Sequence, residues 1–144
     1  MLTEARAIQA TIAALKRDAT LTALLGAGAN GIFLQDVPAG ALDPYAVVAQ
    51  QATLRDIQAR GGQLVMGKGL ITVQVIGKAT DLSAKLVPAA DRIDTLLNTL
   101  AGVSVNGGTL VRMVRDRELF YTEPLGDTGV VYAHAGYIYQ WWAQ

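Results

Sequence analysis

The chain has no cysteine and a single histidine, His134. Disulfides, thiolate zinc sites and cysteine nucleophiles are therefore excluded together, as is any metal site built from several histidines. Serine is almost as scarce: only Ser83 and Ser104 occur, and neither sits in the Gly-x-Ser-x-Gly turn of a serine hydrolase. Charge is sparse as well. Only 17% of residues are charged, against about a quarter in ordinary soluble domains. The 12 basic and 12 acidic side chains cancel, so no global field gathers nucleic acid or an acidic membrane. No apolar run approaches the roughly 20 residues of a membrane span. Met1-Leu2-Thr3-Glu4 also lacks the basic start and apolar core of a signal peptide. The expectation is a protein made in the cytoplasm with no membrane partner.

What the chain has in quantity is apolar surface, with 51% of its residues hydrophobic. The 144 residues suit one domain, 1–144, which buries roughly two thirds of its unfolded surface. The remaining apolar area implies neighbours. Both tryptophans and three of the five tyrosines fall in the final stretch from Val130 to Trp142. Chain ends normally fray, so a segment this aromatic is expected to be pinned in a sheet or against a partner.

Local patterns predict the order of elements. Ile8, Ile12 and Leu15 recur at helical spacing after a cap at Thr3, with Lys16 and Arg17 suited to the helix end. Asp18 can cap a second short turn carrying Leu21, Leu24 and Leu25 before the glycines from Gly26 to Gly31 stop it. A short strand at Ile32-Phe33-Leu34 follows. Two long strands are predicted at Tyr45 to Ala49 and Leu70 to Ile76. Between them, Thr53 to Gly69 is expected to be an extended loop or arm, ordered on a neighbour through Ile57, Leu64, Val65 and Met66.

A central helix carries Leu86, Ala90, Ile93, Leu97 and Leu100 on one stripe, with Pro88 opening or kinking it and Gly102 ending it. Asn106-Gly107-Gly108 turns the chain into the run Thr109 to Thr122, whose apolar residues on both faces predict a strand buried on both sides or bulged near Arg115-Asp116, and the aromatic strand follows. The expected fold is α+β: a mainly antiparallel four- to five-stranded sheet, packed by the N-terminal and central helices, with a long hairpin arm.

Several patterns imitate active sites. Gly26, Gly28 and Gly31 match the dinucleotide fingerprint, but they follow a helix and enter a strand, the reverse of the required context. His134, inside an apolar strand, is expected to be a packed, hydrogen-bonded side chain. Asp91 and Asp94 read as a solvated helix face. No catalytic, metal or cofactor residue is therefore assigned. Arg112, Arg115 and Arg117 form the only concentrated basic group, and Asp116 and Glu118 among them point to ion pairs between strands or subunits rather than to DNA. The aromatic strand has no Lys or Arg to interleave with bases, so Tyr137, Tyr139, Trp141 and Trp142 are expected to serve core and subunit contacts.

The order of these landmarks resembles one family. Leu21-Thr22-Ala23-Leu24-Leu25-Gly26, Gly31-Ile32-Phe33 and Asp43-Pro44-Tyr45-Ala46-Val47-Val48 are similar to the N-terminal half of the tail-completion or tail-terminator proteins of long-tailed bacteriophages. Asp91 to Leu97, the arginine strand reaching Phe120-Tyr121-Thr122-Glu123, and Tyr132 to Tyr139 look like its helix and closing strands. The resemblance implies a non-enzymatic subunit without cofactor, located in the virion tail or neck and assembled in the host cytoplasm. It implies a ring of identical copies, commonly six-fold, that caps the tail tube protein and offers a surface to the head-tail connector protein. DNA in the lumen would meet at most weak, non-specific contacts. A neck adaptor is the neighbouring reading, and a small ligand-binding or enzymatic domain is the rival from another class.

Overall fold

The computed structural model describes residues 3–58, 64–105 and 108–144. Helix α1 spans Thr3–Lys16 and α2 spans Ala19–Leu24; a 3-10 turn at Gly28–Gly31 leads into strand β1, Ile32–Leu34. Strands β2, Tyr45–Gln58, and β3, Leu64–Lys78, form a hairpin. Helix α3, Val87–Leu97, precedes β4, Ala101–Val105, β5, Gly108–Pro124, and β6, Val131–Ala143. The sheet is curled and six-stranded, in the order β1-β2-β3-β6-β5-β4. All neighbours are antiparallel except β1 and β2, which run parallel. The α+β class holds, while the expected four or five strands become six and the sheet is mixed.

The buried stripe of α1 is Ala7, Ala10, Thr11, Ala14 and Leu15, with Ile8 and Ile12 at its margin. The expected stripe is thus rotated toward the alanines, whose small side chains let the helix approach the sheet closely. Thr11 satisfies its buried hydroxyl on the Ala7 carbonyl at 2.7 Å. Asp18 caps α2 as expected, accepting from the Leu21 amide at 2.8 Å. It also receives Arg92 of α3 through Nε at 3.0 Å and Nη2 at 2.5 Å, so one carboxylate joins two helices. Gly26 lies so near the Asp43 carbonyl that a Cβ would overlap it, and its amide donates to Pro44 at 2.9 Å.

Two element ends differ from the sequence reading. The regular helix stops at Leu97, five residues before Gly102, because β5 recruits the backbone there. The Thr99 amide donates to the Met113 carbonyl at 2.9 Å, and the Met113 amide donates to Leu100 at 2.8 Å. Pro88 stands in the first turn, where a missing amide costs no helical bond, and a wider π turn at Leu82–Leu86 precedes it. The stretch 53–69, expected as an extended loop or hairpin arm, is paired strand in its described parts. Both strands of the hairpin run through it, with Asp56 opposite Gly67 and Ile57 opposite Met66, while residues 59–63 lie outside the described residues.

The core lies between α1, α3 and one sheet face. Val48 of β2, Ile71, Val73 and Val75 of β3, Tyr139 and Trp141 of β6, and Met113 of β5 pack there with Leu15, Leu21, Ile93 and Leu97. Val47, Ile76 and Ile138, which point to the other face, are nearly as buried but stand outside this cluster. Gly136 permits the curl: a Cβ there would overlap the backbone of Val73 and Gln74 on β3.

Trp141 is 1% exposed, so Trp141→Ala should cost about 3 to 5 kcal/mol in urea unfolding, and half-buried Trp142→Ala much less. A pH test follows from Asp18. The hydrogen-bonded Arg92 guanidinium, aided by the Leu21 amide, holds its carboxyl below the ordinary value. Such a group adds stability above its unfolded pKa and loses it as pH falls through the folded one. Asp18→Asn should melt lower than wild type at neutral pH, and the gap should close below about pH 4.

Candidate assembly surface

The aromatic strand β6 alternates across the sheet. Tyr139 and Trp141 face the helices and are enclosed by the subunit itself, whereas Tyr137 is half-buried at the edge of α3. Trp142 emerges on the opposite, helix-free face. Of the four aromatics expected at core and subunit contacts, Tyr139 and Trp141 build the core, and Tyr137 and Trp142 present surface. The side chains of Ile57, Leu64 and Val65 lie outside the described residues; Met66 is half-buried on β3.

The arginine group is divided by the strand's parity and its bulge between Arg115 and Arg117. Arg115 turns toward α3, donates to Asp94 at 3.0 Å and lies 5.5 Å over the Tyr137 ring. Arg117 pairs with the adjacent Asp116 at 3.0 Å, and Gln140 donates to the same carboxylate at 3.0 Å. Arg112 lies 6.0 Å from the Trp142 ring, with Lys68 at 5.1 Å. Lys68, Trp142 and Arg112 stand at one level on three adjacent strands. The basic residues that the aromatic strand lacks are thus supplied by its neighbours, which a linear reading of β6 misses.

Asp94 is more than a solvated residue. It accepts Tyr139 Oη at 3.0 Å as well as Arg115, while Asp91 meets Tyr137 Oη at 3.4 Å. Burial, reinforced by the Asp94 carboxylate, pushes the Tyr139 phenol far above its ordinary value, so it remains a neutral donor. Of the helix face read as wet, Asp91 is exposed as expected, whereas half-buried Asp94 meets the sheet, because α3 lies across β5 and β6.

His134 is buried as expected. Its Nε2 lies 2.6 Å from Glu123 Oε1, and Tyr121 stacks on the ring at 4.1 Å between centroids. Nearby, Tyr132 donates to Asp43 at 2.8 Å. These groups border an open cleft of about 300 Å³ lined by Asp43, Tyr45, Glu123 and Tyr132 among others. A second open cleft of about 250 Å³ separates Val87 and Asp91 on α3 from Phe120 and Tyr137. Neither is a deep pocket, and among the described residues no three metal-ligating side chains cluster. Exposed apolar residues are the more prominent surface feature: Phe120 is 59% exposed and Leu42 61%, with Leu34, Leu125 and Val131 also open.

This α+β subunit has open clefts and exposes apolar side chains at several edges. The family model of the tail completion protein gp17 matches residues 9–135, and the chain belongs to that family. It is therefore a structural protein of a bacteriophage-like virion, located at the tail or neck. No curated protein sequence matches the chain. Among solved structures, a chain from the virion of a native gene transfer agent particle is similar in fold, with a TM-score of 0.62 at 18% identity, covering 93% of this chain and 92% of that one.

Removing the acceptor of a buried hydroxyl costs about 1 to 3 kcal/mol. Asp94→Ala should destabilise by that order in urea unfolding, and by less in a Tyr139→Phe background, since the hydroxyl is then already gone. Equal losses in both backgrounds would show that the two groups are not coupled.

Proposed function

We propose that the chain is a tail terminator: copies of it close into a ring, six-fold by analogy with the family, that caps the tail tube and offers its other face to the head-tail connector. Family membership carries this reading, and the distribution of apolar surface supports it. A closed ring needs two different patches per subunit in head-to-tail contact. Phe120, Leu125 and Val131 lie at one end of the β5–β6 hairpin, with Leu42 near them because its neighbour Asp43 bonds Tyr132, whereas Leu34 ends β1 at the far edge of the sheet. The subunit works by surface rather than by chemistry, because its one histidine is packed between Tyr121 and Glu123 and its clefts are open.

A neck adaptor would share the architecture and differ in partner. Mass measurement across a concentration series, with negative-stain imaging, tests the ring. Co-sedimentation with purified tail tubes and with connector complexes separates the two roles: a terminator binds tubes without the connector. A persistent monomer that ignores tail tubes would defeat the reading.

The local group of Lys68, Arg112 and Arg117 is small and offset by Asp116, so any DNA contact in the lumen is weak and non-specific. Binding should fall steeply with salt. Sub-micromolar, sequence-dependent DNA binding by the isolated protein would contradict this.

A further inference from the structure

We propose that neighbouring copies join through their sheets, the open edge of β5 in one copy pairing antiparallel with the open edge of β2 in the next. The proposal rests on the ring reading above and specifies its contact.

The β5 edge is covered only in its first part. Strand β4 pairs with Gly108 to Arg112, and the segment joining α3 to β4 takes over briefly: Thr99 and Leu100 bond Met113, and the Asn98 side chain accepts the Arg115 amide at 3.0 Å. From Asp116 to Pro124, β5 has β6 on one side and, among the described residues, no strand on the other. Met113 points its amide and carbonyl away from β6. Alternation through the bulge between Arg115 and Arg117 then turns the backbone groups of Glu118, Phe120 and Thr122 outward as well.

Natural edges are blunted by bulges and charge, and the first part of this one is, by the bulge and by Arg115, Asp116, Arg117 and Glu118. The remainder is not. Leu119, Phe120 and Tyr121 follow in succession, with Phe120 59% and Tyr121 43% exposed. An edge that combines outward-facing backbone groups with an exposed aromatic side chain, Phe120, has the properties of a strand-docking site.

The second edge lies at the opposite side of the same sheet. Strand β1 covers only Ala46 to Val48 of β2, which continues to Gln58 with no strand beside it among the described residues. Three antiparallel pairings separate β2 from β5, so the two strands run in opposite directions. A copy placed beside β2 in the same orientation therefore offers its β5 antiparallel, and the alternation of the sheet continues from copy to copy. The edges are different, so the contact is head-to-tail, as a ring requires.

The short outer strands fit this arrangement. Phe120 stands level with Ala135, Val75 and Ala46, whereas the open part of β2 around Thr53 stands level with Gly69, Trp141 and Met113. The two edges are staggered by about seven residues, roughly 23 Å along the strands at about 3.3 Å each. Four strand spacings of about 4.8 Å separate equivalent strands of adjacent copies. Strands would then incline by roughly 45 to 50° to the ring axis, close to the tilt of closed barrels. In this stagger β1 sits below the incoming β5, and the neighbour's β4 sits above it, so neither blocks the joint.

The absence of cysteine permits a direct test. Two single-cysteine chains, Q51C on the β2 side and F120C on the β5 side, are mixed under assembly conditions with tail tubes present and treated with a short bis-maleimide. Cross-linking of Q51C to F120C, with neither joining to itself, is the expected result. F120C joining F120C would indicate a two-fold edge contact and overturn the proposal, as would rings that form without the mixed cross-link. That last outcome would leave the ring reading intact, whereas a chain that stays monomeric with tail tubes would overturn both. A second variant reads the backbone itself. Thr122→Pro removes an amide that its own sheet does not use, so its melting should stay near that of Thr122→Ala while its rings are lost; rings unchanged in a folded Thr122→Pro protein would count against the pairing.

Discussion

Strand β6 is the member on which the rest of the molecule hangs. It lies between β3 and β5, pairs along nearly its whole length with both, and inserts Tyr139 and Trp141 beneath α1 and α3. Each of those rings brings about 150 to 250 Å² to the core, more than any aliphatic neighbour. The helices cover these rings together with the aliphatic side chains of β2 and β3. Their small residues, Ala7, Ala10 and Ala14 on α1 and Ala89 and Ala90 on α3, let them settle onto the rings instead of holding them apart.

The same packing explains the polar contacts around α3. Once Tyr139 is buried, its hydroxyl must find an acceptor, and Asp94 supplies one from the helix above. That carboxylate then holds Arg115, which in turn covers Tyr137. Two residues earlier on α3, Arg92 reaches the cap of α2. A row of charged residues thus ties helix to sheet and helix to helix, and the arginine-rich strand loses one of its three basic side chains to the interior side. The basic character left on the helix-free face is correspondingly small.

The helix-free face has a different economy of surface. Val47, Ile76 and Ile138 are buried on this side, Ile76 beside the loop that runs from Val37 to Asp43, and the close approach at Gly136 makes the sheet's curvature sterically possible. What stays open on this side is polar or mixed: Thr72 bonded to Gln51 at 2.8 Å, Gln140 bonded to Asp116, and Trp142 flanked by Lys68 and Arg112. Apolar exposure is concentrated instead at the sheet's margins and hairpin ends, where neighbouring molecules have access.

Periodicity and turn chemistry in the sequence determined the α+β class, both helices, the Asp18 cap and the packed state of His134, because each depends on residues near one another in the chain. The landmark order also determined the family. Tertiary structure decided the rest. Gly67 and Gly69 locally favour a loop, yet pairing with Asp56 and Thr53 of β2 overrides that preference, since each strand satisfies the other's backbone groups. The parallel placement of β1, the loss of helix after Leu97 and the facing of Asp94 toward Tyr139 all require contacts between segments far apart in sequence. Likewise, no linear pattern in β6 could place Lys68 and Arg112 beside Trp142, because cross-strand neighbours are set by register, and register is a property of the assembled sheet.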